Sequence, residues 1–172
     1  TPPLESKRLL ISRAATRVKG ELVRKLLFID AKKAHLNPEC KEDVYIQLPE
    51  EAGGEPGQCG KLNFWLYGFR PAANAWENHY AEKFEEAGFV RGDACAVIFY
   101  HPGRDLSCAV HGDDFTFCGE EGDLDWITER MREWFEIKVR AVLGPDEKDD
   151  KEVVILGRTV KWKSWGIEWE AD

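Results

Sequence analysis

Residues 107–119 read SCAVHGDDFTFCG: two apolar, β-prone runs interrupted by Gly-Asp-Asp. Each run is long enough for a strand, and the interruption is short enough to leave only a tight turn between them. Upstream, ACAVIFY (94–100) and LSCAVH (106–111) flank the turn-rich HPGRD, so the segment from 94 to 119 predicts three successive antiparallel strands. Two adjacent aspartates at such a tip have two readings: the polar end of an ordinary hairpin, or the carboxylate pair of a metal site. Which applies depends on whether other parts of the chain supply partners.

The flanking pattern sets the architecture. ESKRLLISRAATRV (5–18) places Leu9, Leu10, Ala14 and Val18 at helical spacing, and LLFIDA (26–31) is a short strand ending on aspartate. The Pro- and Gly-rich stretch 32–60 reads as loops around one strand, VYIQL (44–48). AANAWENHYAEKFEEAGF (72–89) puts Trp76, Tyr80, Phe84 and Ala87 on one helical face, with Gly88 suited to a C-terminal cap. Asp123 is placed to cap a helix, DLDWITERMREWF (123–135), with Leu124, Ile127, Met131 and Trp134 or Phe135 inward. EIKVRAVLG, VVILGRTVKW and IEWE supply late strands, with PDEKDDKE (145–152) a charged loop and KSWG a turn. The expected fold class is α+β: one mainly antiparallel sheet with helices on one face, its middle carrying the β-α-β-β-α-β rhythm of a ferredoxin-like unit.

With 43% hydrophobic and 33% charged residues, the 172-residue chain has the composition of a globular protein long enough for a substantial core. No apolar run approaches the ~20 residues of a membrane helix, and the opening TPPLESKRLL lacks a signal-peptide core, so no membrane association and an intracellular location are expected. Without an initiator methionine the chain reads as a fragment. Five cysteines without a Cys-x-x-Cys pair read as free, mostly buried thiols. The net charge of −8 is uneven: residues 1–33 sum to +6 and the remainder to −14. A basic N-terminal stretch suits phosphates or a solvated helix face, and an acidic body suits cations.

Asp30 ends one strand while Asp113 and Asp114 occupy a hairpin tip. In an antiparallel sheet such ends can be neighbours, and converging carboxylates repel unless a cation neutralises them. Oxygen donors without a His or Cys cluster favour Mg²⁺ or Mn²⁺ over zinc. Two such ions about 4 Å apart are the arrangement that drives in-line phosphoryl transfer.

Four ordered segments give this a family likeness: LLFIDAKKAHLN, LNFWLYGFRPAANAWE, AVHGDDFTFCG and WFEIKVRAVLG…VVILGRTV. They resemble, in order and spacing, the Asp-x-Lys-x-Ala-Phe-Leu-x-Gly, Leu-Tyr-Gly-Leu-Lys-Gln, Tyr-Val-Asp-Asp and Phe-x-Met-Lys…Phe-Leu-Gly-Ile segments of copia-type retrotransposon reverse transcriptases. The resemblance implies an RNA-directed DNA polymerase palm that uses two Mg²⁺ (or Mn²⁺) ions to join a dNTP to a primer on an RNA or DNA template. It implies that Asp30 and Asp113 bridge the metals, that Asp114 assists them, and that the carbonyl of Ala31 faces a metal. It further implies that His35, Tyr67, Gly68 and Arg70 line the nucleotide, His35 standing where related polymerases place a larger ring against the ribose 2′-hydroxyl. Residues 1–172 are then expected to form a single palm domain with partial fingers, the remaining fingers and the thumb being largely absent. Integrase and ribonuclease H domains of one polyprotein are the implied partners, with the location cytoplasmic, in virus-like particles, or nuclear.

The sequence departs from the family pattern at Pro71 (for Gln), at Asn37-Pro38 (for Asn-Gly) and at His111-Gly112 (for Tyr-Val). The main alternative is a catalytically inactive palm retained as a structural or interaction module. An RNA-binding ferredoxin-like module fits less well, since its aromatic signature is missing. A carboxylate-dependent nuclease leaves LYGFRPAANAW without a role.

Overall fold

The computed structural model describes residues 4–16 and 23–171. It is a mixed α+β structure of two compact units: residues up to Lys32 together with Ala81 onward, and Lys33–Tyr80.

The larger unit is built on a six-stranded sheet in the order β4-β5-β6-β7-β1-β8, with every neighbouring pair antiparallel. The strands are β1 (Lys25–Ala31), β4 (Val90–Arg91), β5 (Ile98–His101), β6 (Leu106–His111), β7 (Asp114–Gly119) and β8 (Ile137–Leu143). Within it, the order β8-β1-β7-β6 is the strand arrangement of the anticipated ferredoxin-like core. The three predicted strands between 94 and 119 form as β5, β6 and β7.

Side chains alternate across this sheet, which therefore needs cover on both faces. Leu26, Phe28, Ala109 and Cys118 form one core with Leu10, Ile11 and Ala14 of α1 (Leu4–Ala15). Ile155, Val160 and Trp162 join it from a three-stranded antiparallel sheet of β9 (Glu152–Ile155), β10 (Arg158–Lys163) and β11 (Gly166–Ala171). Phe99, Phe115 and Phe117 point to the other face. There they meet Phe84 in the last turns of α2 (Arg70–Glu86), and Phe84 also touches Trp134 of α3 (Glu121–Trp134). Leu124, Ile127 and Met131 of α3 are buried as their spacing predicts.

Helices thus occupy both faces, not one. The β-α-β-β-α-β unit accounts for α3 and the end of α2, and the additional α1 covers the face they leave open. The inward stripe of α1 also differs from expectation. Lys7, Leu10, Ile11 and Ala14 are buried and Leu9 is 53% exposed, while Val18 lies outside the described residues. At the start of α3 the cap position is Glu120; Asp123 sits in the first turn and accepts a hydrogen bond from Arg104.

The smaller unit holds the hairpin of β2 (Tyr45–Gln47) and β3 (Cys59–Lys61), and a cluster of Cys40, Leu62, Trp65 and Ala72. Pro71 falls in the first turn of α2, where a missing N–H costs nothing. The five cysteines are free; Cys40, Cys108 and Cys118 are buried, whereas Cys59 is exposed.

Candidate functional site

β1 is buried from Lys25 to Ile29, and Asp30 near its end is half-buried. The register places Asp30 directly opposite Asp114, the first residue of β7. The next N–H, of Ala31, donates to the carbonyl of Asp113 at 2.9 Å. The loop that carries these aspartates is the pair Gly112–Asp113, closed by His111 opposite Asp114. Gly112 has φ 64°, and Asp113 does not share that left-handed conformation. Positive φ at the first loop position alone is the II′ hairpin pattern, which favours glycine there. The Gly112 departure therefore gives the turn a residue that its backbone favours.

The structure thus brings Asp30, Ala31, Asp113 and Asp114 together. Directly paired residues project to one side of a sheet with Cβ atoms about 5 Å apart, where like charges destabilise each other. The Asp30 carboxyl is accordingly held above its ordinary value, first by burial and then by Asp113 and Asp114, with Arg140 and Lys138 opposing.

Two basic residues that the sequence did not single out stand beside this cluster. Between β1 and β8 the register shifts, Phe28 facing Ala141 and Ile29 facing Val139, so that Arg140 is the extra residue of a β-bulge. Its guanidinium donates to Asp114 Oδ1 at 3.2 Å and to the carbonyl of Val154 at 2.8 Å. Lys7 of α1 is 4% exposed, and its ammonium has no hydrogen-bond acceptor among the described residues. Burial lowers the Lys7 pKa, while the charge of Asp114 acts to raise it. Lys7 is therefore neither on a solvated helix face nor available to phosphate. The bulge and the helix packing depend on long-range register, which no local motif announces.

Among the described residues, no three His, Cys, Asp or Glu side chains are grouped tightly enough to hold a metal as they stand. The oxygen-only donors and the mutual crowding of Asp30 with its neighbours nevertheless suit a hard divalent cation.

In the smaller unit, His35 and Tyr67 pair their rings at a centroid distance of 4.5 Å, with Tyr67 54% exposed. Buried His35 Nδ1 has no partner among the described residues. Gly68 has φ 89°, and a Cβ there would meet nothing within 4 Å. Its glycine thus answers to backbone conformation and leaves open space rather than fitting against a neighbour. Arg70 opens α2 and is exposed.

A family model described as reverse transcriptase (RNA-dependent DNA polymerase) matches residues 3–145. The chain belongs to that family. It is a retrotransposon reverse transcriptase domain of the copia type, as its four ordered segments led one to expect. Reverse transcriptases generally use divalent metals and act on a primed template with dNTPs, and the match covers both the β1 aspartate and the Gly-Asp-Asp hairpin. None of the described helices of this reverse transcriptase domain is long and apolar enough to cross a membrane.

Proposed function

We propose that the chain is the palm, with partial fingers, of an RNA-directed DNA polymerase from a copia-type retrotransposon. It would transfer a nucleotidyl group from a dNTP to a primer 3′-hydroxyl. The observation that carries this reading is the pairing of Asp30 with Asp114 beside Asp113, three carboxylates held by adjacent strands of one sheet. Asp30 and Asp113 would hold two divalent ions, assisted by Asp114 and the carbonyl of Ala31. When bound, the metals supply a lowered hydroxyl pKa and charge neutralisation at the departing pyrophosphate. The chain's own residues set the approach. The β6–β7 turn orients Asp113 and Asp114, and the β1–β7 ladder fixes Asp30 against them. In the smaller unit, the His35–Tyr67 ring pair would press on the sugar and disfavour a ribose 2′-hydroxyl. Gly68 would leave room for the nucleotide, and Arg70 would meet phosphate.

Primer extension on a homopolymer RNA template with Mn²⁺ tests this reading. Extension by the isolated wild-type chain should be weak, and Asp113→Asn should abolish it. Extension that ignores the substitution would refute it. Flanking integrase and ribonuclease H segments in the parent reading frame would identify the polyprotein. A second reading, a retrotransposon-derived palm kept as an interaction module, is favoured by the Arg140–Asp114 ion pair, which engages one carboxylate internally. Divalent-metal binding indifferent to Asp113→Asn would support that second reading.

A further inference from the structure

The face of the sheet behind the aspartates holds more unsatisfied polar chemistry than packing requires. Asp30, Asp114 and Thr116 share this face by their register, and α1 packs against it. Thr116 Oγ1 and Lys7 Nζ are both buried without a hydrogen-bond partner among the described residues. Buried polar groups are nearly always paired, so two orphans behind one carboxylate cluster mark a place where charge is arranged for use. On the flank, the bulge that makes Arg140 the additional residue of β8 re-aims its guanidinium onto Asp114.

We infer that Arg140 and Lys7 are built-in counter-ions of the aspartate cluster, and that a divalent cation reaches it only in competition with them. The inference rests on the metal-binding reading above. Arg140 already engages Asp114 Oδ1, so a metal that takes this oxygen displaces a charge-assisted hydrogen bond, and one that takes Oδ2 shares the carboxylate with a guanidinium. Lys7 adds a buried ammonium on the α1 side of the same face, where screening by solvent is least. Both effects oppose cation loading at the same carboxylates. Arg140 also offsets part of the repulsion at Asp30 when no metal is bound, as Lys138 does from its place opposite Asp30. Arg140 and Lys7 are positioning residues here, acting through Asp114.

The test is a Mn²⁺ titration of the full chain, followed by the electron paramagnetic resonance signal of free Mn²⁺. Arg140→Gln and Lys7→Met should each bind Mn²⁺ about tenfold more tightly than wild type, equivalent to about 1.4 kcal/mol. Arg140→Lys should return affinity toward wild type, and Asp113→Asn should abolish binding in every background. A purely structural role for either residue would not tighten metal binding. Unchanged affinity in both variants, with binding still lost in Asp113→Asn, overturns the counter-ion inference and leaves the polymerase reading intact. Failure of every variant to bind Mn²⁺ overturns both. Should Lys7→Met not fold by circular dichroism, the part-exposed Arg140→Gln decides alone.

Discussion

Strand β1 begins with Lys25 and nearly ends with Asp30, and its two ends treat charge in opposite ways. Lys25 is buried, yet its ammonium reaches Asp146 at 2.6 Å, Asp149 at 2.9 Å and Glu121 at 3.5 Å. Lys151 closes the same loop by donating to the carbonyls of Gly144 and Asp146. Burial alone would lower the Lys25 pKa, but its hydrogen bonds to Asp146 and Asp149 outweigh that and raise it. At the other end, Asp30 faces a second carboxylate across the ladder and has a third beside it. One end gathers opposite charges into a closed clasp, and the other gathers like charges that Arg140 and Lys138 offset only in part. The first arrangement fastens the charged loop to the sheet. The second costs stability, and such a cost is characteristic of a site whose partner arrives from outside.

Substitutions that remove one side of each arrangement should separate the two ends. Lys25→Met strips the clasp of its cation and leaves Asp149 buried and unpaired, so unfolding free energy should drop by about 3–5 kcal/mol in a urea titration. Gly144→Ala attacks the same clasp sterically. A Cβ there would collide with the Asp149 carboxylate and lie 2.9 Å from Lys25 Cδ, neither of which can retreat to solvent. A loss of about 1–3 kcal/mol is expected, the range for overpacked interiors; a neutral result would show the clasp to be loose.

Asp30→Asn should act in the opposite direction, raising the melting temperature at neutral pH by the equivalent of under about 1 kcal/mol. A destabilised Asp30→Asn would mean that Asp30 is satisfied by its neighbours and that the contrast between the two ends is false.

The pH dependence should differ in sign as well. Asp30 has a raised carboxyl, so its ionised form costs folding energy at neutral pH, and that cost disappears as pH falls through its folded-state value. The stability gap between wild type and Asp30→Asn should therefore close on acidification. Asp146 and Glu121 are lowered, Asp146 first by its hydrogen bond from Lys25 and Glu121 first by that from Lys148. Their contribution is present above the ordinary values of 3.8 and 4.5, and is lost as pH falls through the lower folded values. The Lys25 contribution is complete below 10.5 and is lost only as pH rises past its raised folded value. Protection of the amides of residues 144–151 against hydrogen exchange should thus persist through the neutral range and fall only in strong acid, below the range in which Asp30 is relieved.

Local chemistry explains which of these features could be read before folding. The apolar run into Asp30 and the Gly-Asp-Asp tip carry strand and turn signals in their own residues, so the strands and the hairpin were legible. Their convergence followed from expecting an antiparallel sheet. The buried stripe of α1 was misjudged because Lys7 stands at a core position, where composition argues for solvent and packing overrides it. Asp123 was a reasonable cap by residue type, but Arg104 claims its side chain, and one helical turn offers more than one acidic candidate. PDEKDDKE was legible only as a charged loop. Its grip on Lys25 spans more than a hundred residues of sequence, and Gly144 gives no sign on its own of the ion pair it accommodates. Arg140 was hidden because a bulge is a mismatch between two strands, and only one of them is in view at a time.

That bulge also governs how the site can change by inheritance. Because Arg140 reaches Asp114 by being one residue too many, the contact depends on the length of β8 as well as on its composition. Losing the Arg140 codon would join Val139 to Ala141, which already face Ile29 and Phe28, so the ladder would run without a bulge and no side chain would change face. Lys138 would keep its place opposite Asp30 while the guanidinium left Asp114. A single frame-preserving deletion thus separates the two cations more cleanly than a substitution, since it removes the bulge along with the one cation that the bulge carries.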